Sequence, residues 1–184
     1  GEWFVIEADE YDSAFFDKRP KFMHYHPECA IFNNLEFDHA DIYADLAAIQ
    51  QQVHYFLKTI PPKGELIYPR DDEAFQAVVD KGVFSHASNM AVSGDAVWRL
   101  NLRNKTASHF QILHHHEVVA EIKWSLMGEF NAENAMAAFA ASIYAGVEPE
   151  VAARALEQFS PVKRRLEVRM DAHGIKLYDD FAHH

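Results

Sequence analysis

Two acid-rich strings in this 184-residue chain each follow an apolar run. Trp3-Phe4-Val5-Ile6 leads into Glu7-Ala8-Asp9-Glu10-Tyr11-Asp12, and Ala30-Ile31-Phe32 leads into Asn33-Asn34-Leu35-Glu36-Phe37-Asp38-His39. Carboxylates are hard oxygen donors. They suit Mg²⁺, which keeps waters and phosphate oxygens in its shell and takes only one or two protein groups. An imidazole beside them also admits Mn²⁺. The plain alternative for such a string is a solvated loop, since charge runs usually face water, and a single histidine is more often structural than a ligand. The repetition of the pattern is what points to a divalent cation holding a phosphate.

Further polar groups recur at usable spacings. Asn131 and Asn134 lie three apart in Gly128-Glu129-Phe130-Asn131-Ala132-Glu133-Asn134 and so share a face of a first helical turn. They could cap that helix. An Asn amide also offers donor and acceptor together and can read an adenine edge. Lys163-Arg164-Arg165 is the one basic cluster. It is either a surface patch or a phosphate clamp, for which Arg is suited by its bidentate geometry. His114-His115-His116 reads as a solvated turn, because consecutive side chains diverge. His24 and His26 read as packing or edge-strand residues, and Trp98 and Trp124 as core.

Chemistry at strand ends needs strands to carry it. Short β-branched or aromatic runs bounded by polar residues read as buried strands, predicted here at 3–6 and 30–32. In an open parallel sheet, ligands sit outside the carboxyl ends of the strands, so adjacent strands of this kind gather carboxylates and an imidazole in one crevice. Leu46, Ile49, Val53, Phe56 and Leu57 recur at helical spacing, with Asp45 placed to favour the start. Pro61-Pro62-Lys63-Gly64 breaks the chain before a strand at 65–68, a short helix over 71–81 closed by Gly82, and a strand at 83–85. These alternations predict βαβ units with mostly parallel pairing. Alternating runs over 97–103, up to Leu113, and over 118–124 predict a small antiparallel meander. Two helices, 131–144 and 149–159, and a hairpin of 166–170 with 175–178 complete the pattern. The expected fold is α/β, a mostly parallel sheet flanked by helices, with the meander attached.

Composition narrows the function classes. A net charge of −11 argues against a nucleic-acid or anionic-membrane surface, both of which need a basic footprint. Cys29 is the only cysteine, so no internal disulfide forms and a reducing compartment, the cytoplasm, is expected. No stretch approaches the about 18 apolar residues of a membrane span. With Gly1 opening onto a strand and His184 following a polar turn, the chain reads as an internal piece of a longer protein, and His183-His184 as native residues or the stub of a tag.

The strings EADE at 7–10, NNLEFDHAD at 33–41, GEFNAENAMAA at 128–138, KRR at 163–165 and DDFAHH at 179–184 together resemble the central, ATP-binding domain of the Mur ligases. The resemblance spans nearly the whole chain. It implies the later part of that domain over 1–178 and a hinge to a C-terminal domain at 179–184. It implies ATP and Mg²⁺ as cofactors, with Glu7 and His39 as metal ligands. Asn131, Asn134, Arg165 and Asp180 become nucleotide-binding residues, and His39 and Arg165 catalytic ones. The implied activity joins UDP-N-acetylmuramate to the tripeptide L-alanyl-γ-D-glutamyl-meso-diaminopimelate through an acyl phosphate, in peptidoglycan recycling. L-Alanine is the alternative amine. From other classes, a metal-dependent phosphohydrolase would also use the acid strings, and a non-catalytic interaction module would use the meander. The family's glycine-rich phosphate loop is absent, so the residues alone are expected to be inactive, with N- and C-terminal domains of the same chain as partners. Where some members carry a carbamylated lysine this chain has His54, with Lys58 the nearest lysine. Phe130 replaces a family histidine.

Overall fold

The stretch from Cys29 to Ala91 folds as the parallel units its alternation predicts. The computed structural model describes residues 2–8, 11–37, 42–165 and 167–181. In chain order, β1 (Asp12–Ala14) and β2 (Asp17–Pro20) form a short antiparallel hairpin. Strands β3 (Cys29–Ile31), β4 (Glu65–Pro69), β5 (His86–Ala91), β6 (Trp98–Leu102), β7 (His109–His114) and β8 (Glu117–Lys123) form one sheet in that spatial order. Pairing is parallel from β3 to β6 and antiparallel from β6 to β8, so the meander continues the parallel sheet. Helices α1 (Leu46–Leu57) and α2 (Glu73–Val79) cover one face, and α3 (Glu129–Tyr144) and α4 (Pro149–Glu157) the other.

The period-two geometry of β4 feeds both layers. Leu66 and Tyr68 join Phe22, Val53, Phe56 and Phe75 under α1 and α2, while Ile67 joins Trp98, Phe110, Met136 and Phe139 under α3. Phe75 stacks on Tyr68 at 5.5 Å and lies 4.7 Å from Phe32. Alanines 132, 135, 137 and 140 are buried and let α3 approach the sheet closely, while Ala138 faces outward. α3 ends in a Schellman motif: Gly146, at φ +85°, donates to Ile143 O, and Val147 N donates to Ser142 O, both at 3.0 Å. Asp45 caps α1 as expected, accepting from Ala48 N at 2.8 Å.

Several expectations are corrected. Residues 3–6 are not a buried strand: they pair with no described strand, and Phe4 and Val5 are 84% and 93% exposed. An apolar run becomes a buried strand only where partners meet its edges and layers cover its faces, and the described elements supply neither. Residues 83–85 are a connection, with Val83 packed beneath α2. The ladder with β4 begins only at His86, opposite Glu65. His24 is exposed in the 3₁₀ turn Lys21–His24 and hydrogen-bonds Asp17 at 3.0 Å, and His26 is exposed at φ +43°. Both Trp98 and Trp124 pack in the core, and His115 and His116 form an exposed turn, while His114 stacks on Trp98 at 4.2 Å.

The hairpin of β9 (Glu167–Ala172) and β10 (Ile175–Asp179) pairs only with itself among the sheets. Met170 opposite Leu177 and Ala172 opposite Ile175 make one apolar side. The other side carries Lys176–Asp171 at 3.3 Å and Arg169–Asp179 at 3.0 Å.

Among the described residues His54 is the one buried polar residue of the core, and its Nδ1 has no hydrogen-bond partner there. Burial, with Lys58 and Lys81 nearby, lowers its pKa below the usual 6.5. The unfolded chain therefore takes up a proton there before the folded chain does. His54's contribution to stability is complete above pH 6.5 and is lost as pH falls towards the lower folded value. His114, lowered mainly by burial, acts in the same direction. Urea midpoints at about pH 7.5 and about pH 5.5 should fall on acidification, and fall less in His54→Leu. Equal losses in both proteins would remove His54 from the acid response.

Candidate functional site

The carboxyl ends of the parallel strands lie along one edge of the sheet, and three loops leave it: 32–37 after β3, 70–72 after β4 and 92–97 after β5. α3 runs against the strands. Its Asn134 reaches the loop after β3, whereas Tyr144 at its far end donates to Lys63 O, just before β4, at 3.1 Å. The positive end of the α3 dipole therefore faces the crevice.

Side chains lace these loops together. Asn33 Nδ2 donates to Asn134 Oδ1 at 2.9 Å across 101 positions of sequence. The Leu35 N–H donates to Asp72 Oδ2 at 2.7 Å, while Asp72 Oδ1 caps α2 by accepting from Phe75 N at 2.8 Å. Arg70 bonds both oxygens of Asp71 at 2.7 Å and donates to Asp95 O at 2.6 Å and Ser93 O at 2.8 Å. Its guanidinium keeps Asp71 below the usual carboxylate range. Gly94, at φ +75°, lies against that guanidinium, and a Cβ there would come within 2.6 Å of Nη1. Asn131 turns back to Met127 O at 2.7 Å, a bond that fastens the start of α3.

Of the residues singled out from sequence, Asn134 stands at the crevice, and Asn131 is one helical turn away on α3. Glu7 lies exposed in the irregular segment 2–8, which touches the domain through Trp3 against Tyr144 at 5.9 Å. Arg165 is exposed on the connection into β9, and among the described residues no hydrogen bond or ion pair joins it to Glu7, Asn131 or Asn134. Asp180, also exposed, follows β10. His39, with Asp9, Glu10, Asp38 and Asp41, lies outside the described residues. Sequence reasoning missed Asp72 and Arg70. Asp72 carried a legible signal, an acid immediately before a helix, but only for the cap and not for its bond to Leu35.

The donor chemistry is compatible with Mg²⁺. Among the described residues no group of three or more His, Cys, Asp or Glu could hold a metal. A phosphate-bound Mg²⁺ needs no such cage, because waters and phosphate oxygens complete its shell around one or two protein groups. Glu7 offers an exposed carboxylate of that kind. Among the described residues no helix is long and apolar enough to cross a membrane.

Comparison with known proteins gives a consistent result. Residues 1–142 match the family model described as the Mur ligase middle domain. The chain is 47% identical over 183 residues to the UDP-N-acetylmuramate–L-alanyl-γ-D-glutamyl-meso-2,6-diaminoheptandioate ligase of Escherichia coli, covering 100% of this chain and 40% of that protein. It is 30% identical to the UDP-N-acetylmuramate–L-alanine ligase of Desulforapulum autotrophicum, covering 100% of this chain and 39% of that protein. The crystal structure of a murein peptide ligase from Psychrobacter arcticus superimposes with a TM-score of 0.80 at 42% identity, over 98% of this chain and 37% of that one. The chain thus spans well under half the length of the curated relatives it matches. With residues 1–142, more than half of its length, matching that family model, the chain belongs to the Mur ligase family.

Proposed function

We propose that this chain is the nucleotide-binding part of an ATP-dependent amide ligase joining UDP-N-acetylmuramate to L-alanyl-γ-D-glutamyl-meso-diaminopimelate in peptidoglycan recycling. The observation that carries this reading is the gradient of similarity. Identity over the whole chain is 47% to a tripeptide-adding ligase and 30% to an L-alanine-adding one. In the proposed reaction a carboxylate oxygen of the muramate attacks the γ-phosphorus of ATP and ADP leaves. The amine nitrogen then attacks the acyl carbon, and phosphate departs with that carboxylate oxygen.

The chain's own residues are assigned roles within this reading. Asn134, whose Oδ1 is held by Asn33, keeps its amide N–H groups for the adenine ring, and Asn131 supports the same turn. Glu7 and His39 would hold Mg²⁺. When bound, the ion neutralises charge that develops on the phosphate oxygens. Arg165 would stabilise the same charge as a bidentate donor, and Asp180 would contact the nucleotide from the hinge. Residues 1–178 are read as the later part of the central domain and 179–184 as the hinge. These 184 residues contain no G-x-x-x-x-G-K-[ST] string to cradle phosphates. On this reading the phosphate loop and the remaining N- and C-terminal domains come from elsewhere in the protein, and these residues alone are inactive. The proposed location is the cytoplasm, where ATP and the UDP-sugar are available.

The direct test uses the full-length protein with Mg-ATP and UDP-N-acetylmuramate, with ADP release followed on adding either the tripeptide or L-alanine. Release driven by the tripeptide is expected, and release driven only by L-alanine would reassign the amine. ADP release with neither amine would indicate a phosphohydrolase. Asn134→Ala should raise the apparent KM for ATP about tenfold, the scale of one lost base contact, with little change for the tripeptide. The opposite pattern would take Asn134 away from adenine.

A further inference from the structure

We infer that Asp72 is a positioning residue for the candidate site, its carboxylate holding the loop after β3 through the Leu35 N–H. Both oxygens are engaged, and in different tasks. Oδ1 accepts from Phe75 N at 2.8 Å and caps α2, whereas Oδ2 accepts from Leu35 N at 2.7 Å across 37 positions of sequence. Bonds from backbone N–H to a carboxylate are charge-assisted and about twice as strong as neutral ones. Asp72 is partly withdrawn from water, which screens this pair less than a surface pair.

The Leu35 bond matters because, among the described residues, the Asn33–Asn134 bond is the only other hydrogen bond tying 33–37 to another element. The last backbone tie to the sheet is Phe32 N to Ile67 O at 2.9 Å. Among the described residues, the Leu35 N–H is the only backbone group of 33–37 hydrogen-bonded to another element. Leu35 and Phe32 pack against the cluster that contains Phe75, so the carboxylate clamps a loop that is already seated on apolar contacts. Two residues before Leu35 is Asn33, which fixes the Asn134 amide, and four residues after it is His39. Displacing Leu35 would loosen the Asn33–Asn134 contact and shift the backbone that leads towards His39.

The capping task does not require aspartate, because Asn caps helices equally well. The clamp does. In Asp72→Asn one oxygen can still cap α2, but the second position becomes an NH₂ group facing the Leu35 N–H, donor against donor. The substitution therefore separates positioning from folding.

The experiment uses the full-length protein with Asp72→Asn and Asp72→Ala, and it rests on the ligase reading only for its kinetic arm. Asp72→Asn should melt within about 2 °C of the wild type because its cap survives. Its Leu35 amide should exchange with deuterium at least about tenfold faster, and kcat should fall about tenfold, with KM for the tripeptide unchanged, as expected for misplaced catalytic groups. Asp72→Ala should show the same exchange and kinetic changes and also melt lower. Wild-type Leu35 exchange in Asp72→Asn would overturn the proposal. So would a kcat that falls only in proportion to lost thermal stability in the two variants. If the wild-type protein shows no amine-dependent ADP release, the ligase reading fails, and Leu35 exchange still decides whether Asp72 holds the loop.

Discussion

Strands β3 to β5 run parallel and end along one edge of the sheet, so the loops leaving that edge share a crevice. This register constrains everything at the site. β4 sends Leu66 and Tyr68 to one layer and Ile67 to the other, and a one-residue slip would exchange them. The same register brings Arg70 to the loop after β5 and Asp72 to the loop after β3, each of which it ties by hydrogen bonds of 2.6 to 2.8 Å. α3 lies against this frame with its N-terminal turns at the crevice, because buried alanines let it sit close to the sheet.

Much of this frame is legible in the sequence because it depends on local chemistry. The Asp45 cap, the break at 61–64, the alternation of β6 to β8 and the glycine after α3 each act within a few residues, and each appears where expected. Elements that depend on distant partners were harder to read. Residues 3–6 carry a strand's composition but have no pairing edge among the described residues, while β5 starts at His86 because that is where β4 meets it. The hairpin of β1 and β2 has no strong alternation to announce it, and Asp12 to Pro20 reads locally as a polar connection.

The candidate site divides in the same way. Its residue types were visible as strings, and two of those strings meet where Asn33 bonds Asn134. What the strings could not disclose are the pairings across 101 and 37 positions that give the loop after β3 its shape. Helix and strand periodicities carry no information on contacts of that range. Local pattern likewise does not disclose that Phe15 and Phe16 at the tip of the β1–β2 hairpin are 93% and 90% exposed, nor that one side of β9–β10 is apolar and open.

Amide ligation through an acyl phosphate leaves a chemical record that hydrolysis of ATP does not. Full-length protein would be supplied with Mg-ATP, the tripeptide and UDP-N-acetylmuramate carrying ¹⁸O in its carboxylate, and the released phosphate would be analysed by mass spectrometry. The ligase account predicts one ¹⁸O transferred to phosphate for each amide formed, because the attacking carboxylate oxygen departs with the phosphoryl group. Phosphate released without carboxylate ¹⁸O, its one new oxygen coming from water, would contradict it and would make this site a phosphohydrolase.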